Sequence, residues 1–422
     1  MFPAGTEIAF EIHNALKNSK FITLYGATSV PCHADMVFKR CFDVPFVDEP
    51  GLIDALNRIT DVGWIDYIYP AHDSALLRLT RDREILHAKV ITSDLKTVEV
   101  CRNKNKTYEY LDGKYYIPKH YASPDDVTEF PVFVKPSVGQ GSEGAEKIDD
   151  RAALYRKLLD GREYAICEYL PGAEYTVDCF TDRHGELRYV GQRTRDRIRS
   201  GIAVRSTFVN TDRIVNAMAH DINNRLSFNG AWFFQIKAGK YGQYKLMEIA
   251  PRIAGTMGLS RNRGINLPLL TVYNMLGMDV NILNNNKDIL LDRAFISRFK
   301  TDVEYNTVYV DFDDTLIIDG KVNTQLIAFL YQAKNNKKRI ILLSKHDGWL
   351  EQDLLNYGIS PKLFTDIINI GMRRYAKTKA DFVKPNSILI DDSFSERKLV
   401  HEKCGIPVFD VDMVESLYDW CA

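Results

Sequence analysis

The stretch from Phe133 to Gly144, FVKPSVGQGSEG, carries an apolar run into a lysine and then into Gly139, Gly141 and Gly144. Glycine has no Cβ, so such a loop can lie against a polyphosphate with its amides aimed at the oxygens; Ser142 falls among these glycines and Lys135 adds a point charge. A dinucleotide fingerprint with the same glycine spacing would open a helix at once. Here AEKI follows, a short strand, and a capped helical pattern begins only at Asp149 and Asp150. The loop is therefore expected inside a hairpin, laid over phosphates as a lid. No Gly-Lys-Ser/Thr ends it, which excludes a Walker A loop. An ordinary Gly/Ser turn is the competing reading.

Working outward, 422 residues exceed what one hydrophobic core usually organises, so two or three domains are expected. The 55 basic and 56 acidic residues nearly cancel, which argues against a nucleic-acid or membrane-surface partner. No apolar run has the length of a membrane span, and MFPAGTEIAFEIHNALK carries acids in place of a basic, apolar leader. A cytoplasmic location is expected. Seven cysteines without a C-x-x-C pair read as free thiols in a reducing compartment.

Residues 1–100 alternate helical and strand patterns: a helix after Gly5-Thr6, a buried strand FITLYG, a helix over Ile53–Ile59, and strands in YIYPAH and KVITS. This is a doubly wound α/β pattern, whose ligands sit at the carboxyl ends of strands. His72-Asp73 falls at such an end, as a substrate contact or as a helix cap. A basic, helix-starting segment at Arg102–Thr107 marks a hinge, and one of its lysines can reach nucleotide phosphates. Strand YAICEYL runs into Pro171-Gly172, which offers the backbone of Tyr169 and Leu170 as an adenine edge-binder, with Glu168 for the exocyclic amine and Glu174 for ribose hydroxyls. After LRYVGQ come Arg193, Arg195, Arg197, Arg199 and Arg205; alternate arginines on an extended segment suit a carboxylate or phosphoryl group. Substrate specificity is expected around Arg193–Arg205 and Asn262–Asn266.

GAWFFQIKAGKYGQYKLMEIAPRIAGT reads as two strands about a Gly-Lys-Tyr-Gly turn, with Gln235 on one and Glu248 on the other. Magnesium takes hard oxygen ligands beside nucleotide phosphates, which these two can supply, and Arg252 can hold a transferring phosphoryl group.

The order of these pieces resembles the ATP-grasp superfamily over residues 1 to about 300: a pre-ATP-grasp α/β domain (1–100), then an ATP-grasp α+β domain (101–304). The resemblance implies a carboxylate–amine ligase working through an acyl phosphate, with ATP and magnesium as cofactors and a small-molecule carboxylate and amine as substrates. By motif match Lys104 and Lys135 would bind phosphates, Glu168 and Glu174 adenosine, Gln235 and Glu248 magnesium, and Arg252 the phosphoryl group. Many members carry Asn where this chain has Ala250. A nucleotide-responsive regulator that binds ATP without turnover is the alternative.

Beyond a boundary near Thr301–Asn306, after a strand AFISRF, three buried strands end in carboxylate or hydroxyl: VYVDFDDTL in Asp311 and Asp313, RIILLS in Ser344, and SILIDDS in Asp391 and Asp392. One aspartate can attack phosphorus, a second can serve as acid/base, and a third can hold magnesium. Residues 305–422 resemble the HAD superfamily. The resemblance implies a capless Rossmannoid phosphohydrolase in which Asp311 is nucleophile, Asp313 acid/base, Ser344 and Lys379 phosphate binders, and Asp391 and Asp392 metal ligands beside Asp311 and Asp313. Lys377 is the rival for Lys379.

Overall fold

Thr6 accepts from the Ala9 amide and starts helix α1 (Glu7–Leu16), which buries Ala9, Ile12 and Leu16. The computed structural model describes residues 1–141, 143–371 and 377–421. FITLYG does not form a strand: Phe21 is exposed, and the short parallel pair β1 (Gly26–Thr28) and β2 (Cys41–Asp43) starts only at Gly26. Helix α2 (Leu52–Gly63) follows, then the parallel pair β3 (Tyr67–Ile68) and β4 (Lys89–Val90), with α3 (Asp73–Arg81) between them. Two helices, α4 (Leu95–Arg102) and α5 (Lys104–Tyr110), start on the side chains of Asp94 and Asn103.

The lid hairpin forms as expected. Strands β5 (His120–Tyr121), β6 (Val132–Pro136), β7 (Glu146–Ile148) and β8 (Tyr164–Glu168) make an antiparallel sheet in the order β5-β8-β6-β7. The glycine loop joins β6 to β7, and α6 (Arg151–Leu158) then starts on Asp150. A second antiparallel sheet, in the order β10-β9-β13-β14, uses β9 (Glu174–Thr181), β10 (Leu187–Thr194), β13 (Gly230–Ala238) and β14 (Tyr244–Ala250). Between them lie β11 (Arg197–Arg199), β12 (Ile202–Thr207) and α7 (Arg213–Arg225); α8 (Gly258–Asn262), α9 (Leu267–Met275) and β15 (Leu290–Asp292) follow.

Strand alternation decides what β13 shows to each side. Trp232, Phe234 and Ile236 enter a core with Val177, Leu246 and the α7 residues Met218 and Ile222, whereas Ala231 and Phe233 face another with Ile253 and Met257. Gln235 shares the Phe233 face and pairs in register with Glu248.

Residues Met1–Phe295 form one compact unit and Ile296–Ala422 a second. AFISRF, which straddles the division, carries no strand. The second unit is a five-stranded parallel sheet in the order β20-β19-β16-β21-β22. Its elements are β16 (Thr307–Val310), the hairpin β17 (Ile317–Ile318) and β18 (Lys321–Val322), α10 (Thr324–Asn335), β19 (Arg339–Ser344), α11 (Leu350–Asn356), β20 (Asp366–Asn369), β21 (Ser387–Ile390), α12 (Phe394–Cys404) and β22 (Val408–Phe409). The strands read as continuous apolar runs because helices cover both faces of a parallel sheet. Chain direction across the sheet reverses between β16 and β21, the position where doubly wound folds bind ligands.

Candidate functional sites

In the first unit a cavity of about 290 Å³ opens beside the lid; Lys104, Gly139, Gln140, Gly141, Arg195, Gly201, Gln235 and Glu248 are common to its wall and to that of an adjoining chamber. The chamber adds Lys135 and Glu174, and the larger cavity adds His72, Asp73, Arg193, Phe233 and Arg252. A narrow slit next to the chamber is lined by Tyr108, Phe133, Lys135, Met247 and the run Cys167–Leu170. Slit, chamber and cavity share walls in series, with Lys135 common to the first two.

Lys135 is buried and donates to the Tyr108 hydroxyl at 2.7 Å and the Met247 carbonyl at 2.8 Å. Lys104 reaches the Gly139 carbonyl at 3.4 Å, and among the described residues it makes no ion pair. Burial pushes both ammonium groups below the usual lysine range, so an anion in the chamber would favour their charged forms. Gly141 and Gly201 both have positive φ, and a Cβ on Gly201 would lie 2.1 Å from the Gly141 carbonyl carbon, so the lid and the Ser200–Gly201 turn meet only as glycines. Gly144, at φ +70°, turns the lid back into β7, whereas Gly139 needs no such φ. Ser142 lies outside the described residues.

Several expected contacts are rearranged. Arg193 lines the cavity together with Arg195, but it is buried in a two-bond ion pair with Asp178, 2.9 Å for each bond, tying β10 to β9. Arg195 pairs with Glu174 at 2.7 Å, and Glu174 lines the chamber that adjoins the slit. Arg205 is an exposed side chain of β12 paired with Asp292, and Asn262 donates to the Gly258 carbonyl within α8; neither lines the cavity. Arg193 and Arg195 are each held by a carboxylate, whereas Arg197 and Arg205, beyond the end of β10 at Thr194, share Asp292. Glu168 does line the slit, with Tyr169 and Leu170, and accepts from the Lys119 amide at 2.8 Å. Arg252 is held by Asp73 through two bonds of 2.6 Å, while the α3 cap is His72, accepting from Ser74, and not Asp73. His72 and Asp73 both line the cavity.

In the second unit Lys379 is buried between two carboxylates, 2.8 Å from Asp311 Oδ1 and 2.5 Å from Asp391 Oδ2. Lys377 instead lies over the Phe382 ring. Carboxylate oxygens of Asp311, Asp391 and Asp392 lie within 4.8 Å of one another, a set of hard donors suited to a divalent cation. Burial raises Asp391 to about 6 against the pull of Lys379, and burial likewise raises Asp311. Ser344 is buried at the end of β19, where its hydroxyl favours the charged form of Asp311.

The Asp313 carboxylate is not in the metal cluster. It lies 2.9 Å from Nδ1 of His346, whose Nε2 is 3.0 Å from Asp353. Burial opposes the charged imidazole, but the two carboxylates win and raise its pKa. Sequence reasoning missed His346 and Asp353. The signal was a histidine two residues beyond Ser344, at the same sheet edge as the aspartates.

Residues 161–293 match the family described as ATP-grasp in the biosynthetic pathway with Ter operon. No curated protein matches the chain. Among solved structures, an N5-carboxyaminoimidazole synthetase from Staphylococcus aureus complexed with ADP is similar, with TM-score 0.55 and 15% identity over 68% of this chain and 79% of that one. A carboxyaminoimidazole ribonucleotide synthase from Aspergillus clavatus complexed with ATP aligns at TM-score 0.55 and 12% identity, over 68% and 79%. The biotin carboxylase domain of a Hydrogenobacter thermophilus 2-oxoglutarate carboxylase, in complex with MgADP, ADP and bicarbonate, aligns at TM-score 0.52 and 16% identity, over 66% and 69%. These likenesses define the first unit as a mixed α/β fold of ATP-grasp type. Among the described residues no helix is long and apolar enough to cross a membrane.

Proposed function

We propose that the chain is a bifunctional enzyme, an ATP-dependent carboxylate–amine ligase (residues 1–304, pre-ATP-grasp and ATP-grasp domains) joined to a magnesium-dependent phosphohydrolase of HAD type (305–422). The observation that carries the first half is the in-register pair Gln235–Glu248 facing a chamber that also holds Lys104 and Lys135. The similar structures with ATP, ADP and MgADP bound support the same reading.

The donor set fits a nucleotide and its metal. Gln235 and Glu248 offer two hard oxygens beside cations suited to phosphate, and the slit at Glu168, Tyr169 and Leu170 adjoins the chamber through Lys135. Magnesium, when bound there, would neutralise phosphate charge. Lys104 and Lys135 would fix the phosphates and the lid from Gly139 to Gly144 would keep water out. Arg252, held by Asp73, would orient the phosphoryl group at the cavity. The substrate carboxylate takes the γ-phosphoryl group to give an acyl phosphate and ADP; the amine then attacks the acyl carbon, loses a proton and expels inorganic phosphate.

For the second half, Asp311 would attack phosphorus as the ester P–O bond breaks, with Asp313 giving the leaving oxygen its proton. Asp313 then takes a proton from the water that hydrolyses the aspartyl phosphate, restoring Asp311. Lys379, and magnesium at Asp311, Asp391 and Asp392, would offset the charge on the equatorial oxygens. A panel of carboxylate and amine pairs, read by ADP and phosphate release, tests the ligase. Tight ATP binding with no amine-dependent ADP would favour the regulator over the ligase.

A further inference from the structure

Two of the most exposed aromatic side chains in the second unit lie on the loops that flank its aspartates. Trp349 is 75% exposed and Phe394 is 71% exposed. Trp349 follows β19 and Phe394 follows β21, and these strands border β16, which delivers Asp311, on its two sides. The aromatics therefore rise from loops on opposite sides of the proposed nucleophile.

Neither loop is loose. His346 is clamped between Asp313 and Asp353, the Gly348 carbonyl accepts from Asn369 at 2.8 Å, and a Cβ on Gly348 would come within 2.7 Å of His346. Phe394 opens α12, where Arg397 lies over its ring and donates to the carbonyls of Asp391 and Asp392 at 2.6 Å each. Lys345 and Glu396, 2.5 Å apart, tie one loop to the other. Holding a bare indole in water on a braced loop costs the hydrophobic gain of burying it, so core packing does not account for the position. On these two loops, among the described residues, Lys345, His346 and Arg397 are each ion-paired, so the space between them favours an uncharged group over a second phosphate.

We propose that Trp349 and Phe394 grip the leaving group, and that the phosphohydrolase substrate is a phosphate monoester whose leaving group carries a planar ring. This rests on the phosphohydrolase reading above. With phosphorus held at Asp311 and Lys379, a leaving group emerging at the sheet edge passes between the two aromatics, where a flat ring gains stacking and edge contacts that a polyol does not.

The test uses the full chain with magnesium and two esters, umbelliferyl phosphate and β-glycerophosphate. Wild type is expected to prefer the umbelliferyl ester. Trp349→Ala and Phe394→Ala should each lower the ratio of the two kcat/KM values about tenfold, chiefly through KM, and Trp349→Phe should restore most of it. Equal use of both esters by wild type, a ratio untouched by the alanine variants, or a wild-type preference for a phosphorylated protein would overturn the inference. If wild type also releases no phosphate from acetyl phosphate, the phosphohydrolase reading fails. Calorimetry of umbelliferyl phosphate with the Asp311→Asn chain then decides the ring site alone: it stands if Trp349→Ala weakens binding about tenfold, and falls if binding is absent or unaffected.

Discussion

Asp73 and Arg252, 179 residues apart in sequence, meet through two hydrogen bonds of 2.6 Å at the wall of the cavity beside the lid. The pair ties the start of α3 to the segment that follows β14, so the arginine expected to hold a phosphoryl group is oriented by the N-terminal α/β region. Burial alone would raise the Asp73 pKa, but the Arg252 guanidinium overcomes it and holds the carboxyl at about 2.

The sign of the pH effect follows. A carboxylate depressed in the folded chain contributes stability above its unfolded pKa of about 3.9, and loses it as pH falls toward about 2. Asp73→Asn should therefore destabilise the first unit by roughly 2–3 kcal/mol near neutrality, with the gap from wild type closing below about pH 4. Urea unfolding of both chains at pH 7 and pH 3 measures this. A gap that stays constant with pH would mean that the ion pair does not set it.

Lys135 joins slit and chamber, and its ammonium already has the Tyr108 hydroxyl and the Met247 carbonyl as partners. Lys135→Ala removes a charge-assisted contact worth about 1.5–3 kcal/mol and leaves those acceptors without their donor. ATP affinity by calorimetry should fall by at least tenfold. Unchanged affinity would remove this lysine from the nucleotide site.

Features carried by local chemistry were legible in the sequence. The glycine lid sits in its hairpin because AEKI pairs back on FVKP, and Gln235 faces Glu248 because alternation on both strands puts them on one side. The aspartates converge because parallel strands deliver their ends to one edge. Partner choice was not legible. Residue spacing could not say that Arg193 would find Asp178, that Arg205 would find Asp292, or that Asp313 would find a histidine, since these pairs depend on register and on loops that bring distant positions together. FITLYG read as a strand from composition, but its Phe21 stays in solvent and the pairing begins only at Gly26.

Glu248 is the charged member of the proposed magnesium pair, and Gln235 opposite supplies only a neutral oxygen. Glu248→Gln keeps the shape and removes the charge, so ADP formation should fall by at least about a hundredfold, with part of the loss recovered at high magnesium. Far-ultraviolet dichroism should match wild type, which separates a metal defect from misfolding. Wild-type turnover in this variant would place the metal elsewhere.

The aspartate cluster of the second unit gives the most stringent prediction, because the proposed function gives its two acids different work at one strand end. Asp311 is buried against Lys379, with the Asp391 and Asp392 oxygens beside it, so its carboxylate is placed to meet phosphorus and the metal together. Asp313 stands two residues on, half exposed and held by His346, which suits proton transfer to a leaving group and from water. Asp311→Asn removes the proposed nucleophile and should abolish magnesium-dependent phosphate release from aryl phosphates, while ATP affinity, set by residues of the other unit, should stay at the wild-type value. Asp313→Asn should permit attack and slow the hydrolysis that follows, so that phosphate remains bound to the chain. Mass spectrometry of the quenched reaction would then show one added phosphoryl group in Asp313→Asn and none in Asp311→Asn. His346→Gln, which removes the imidazole from Asp313, should slow turnover by roughly tenfold to a hundredfold without trapping that adduct. Phosphoryl label on the Asp311→Asn chain, or full phosphate release by it, would show that Asp311 is not the nucleophile.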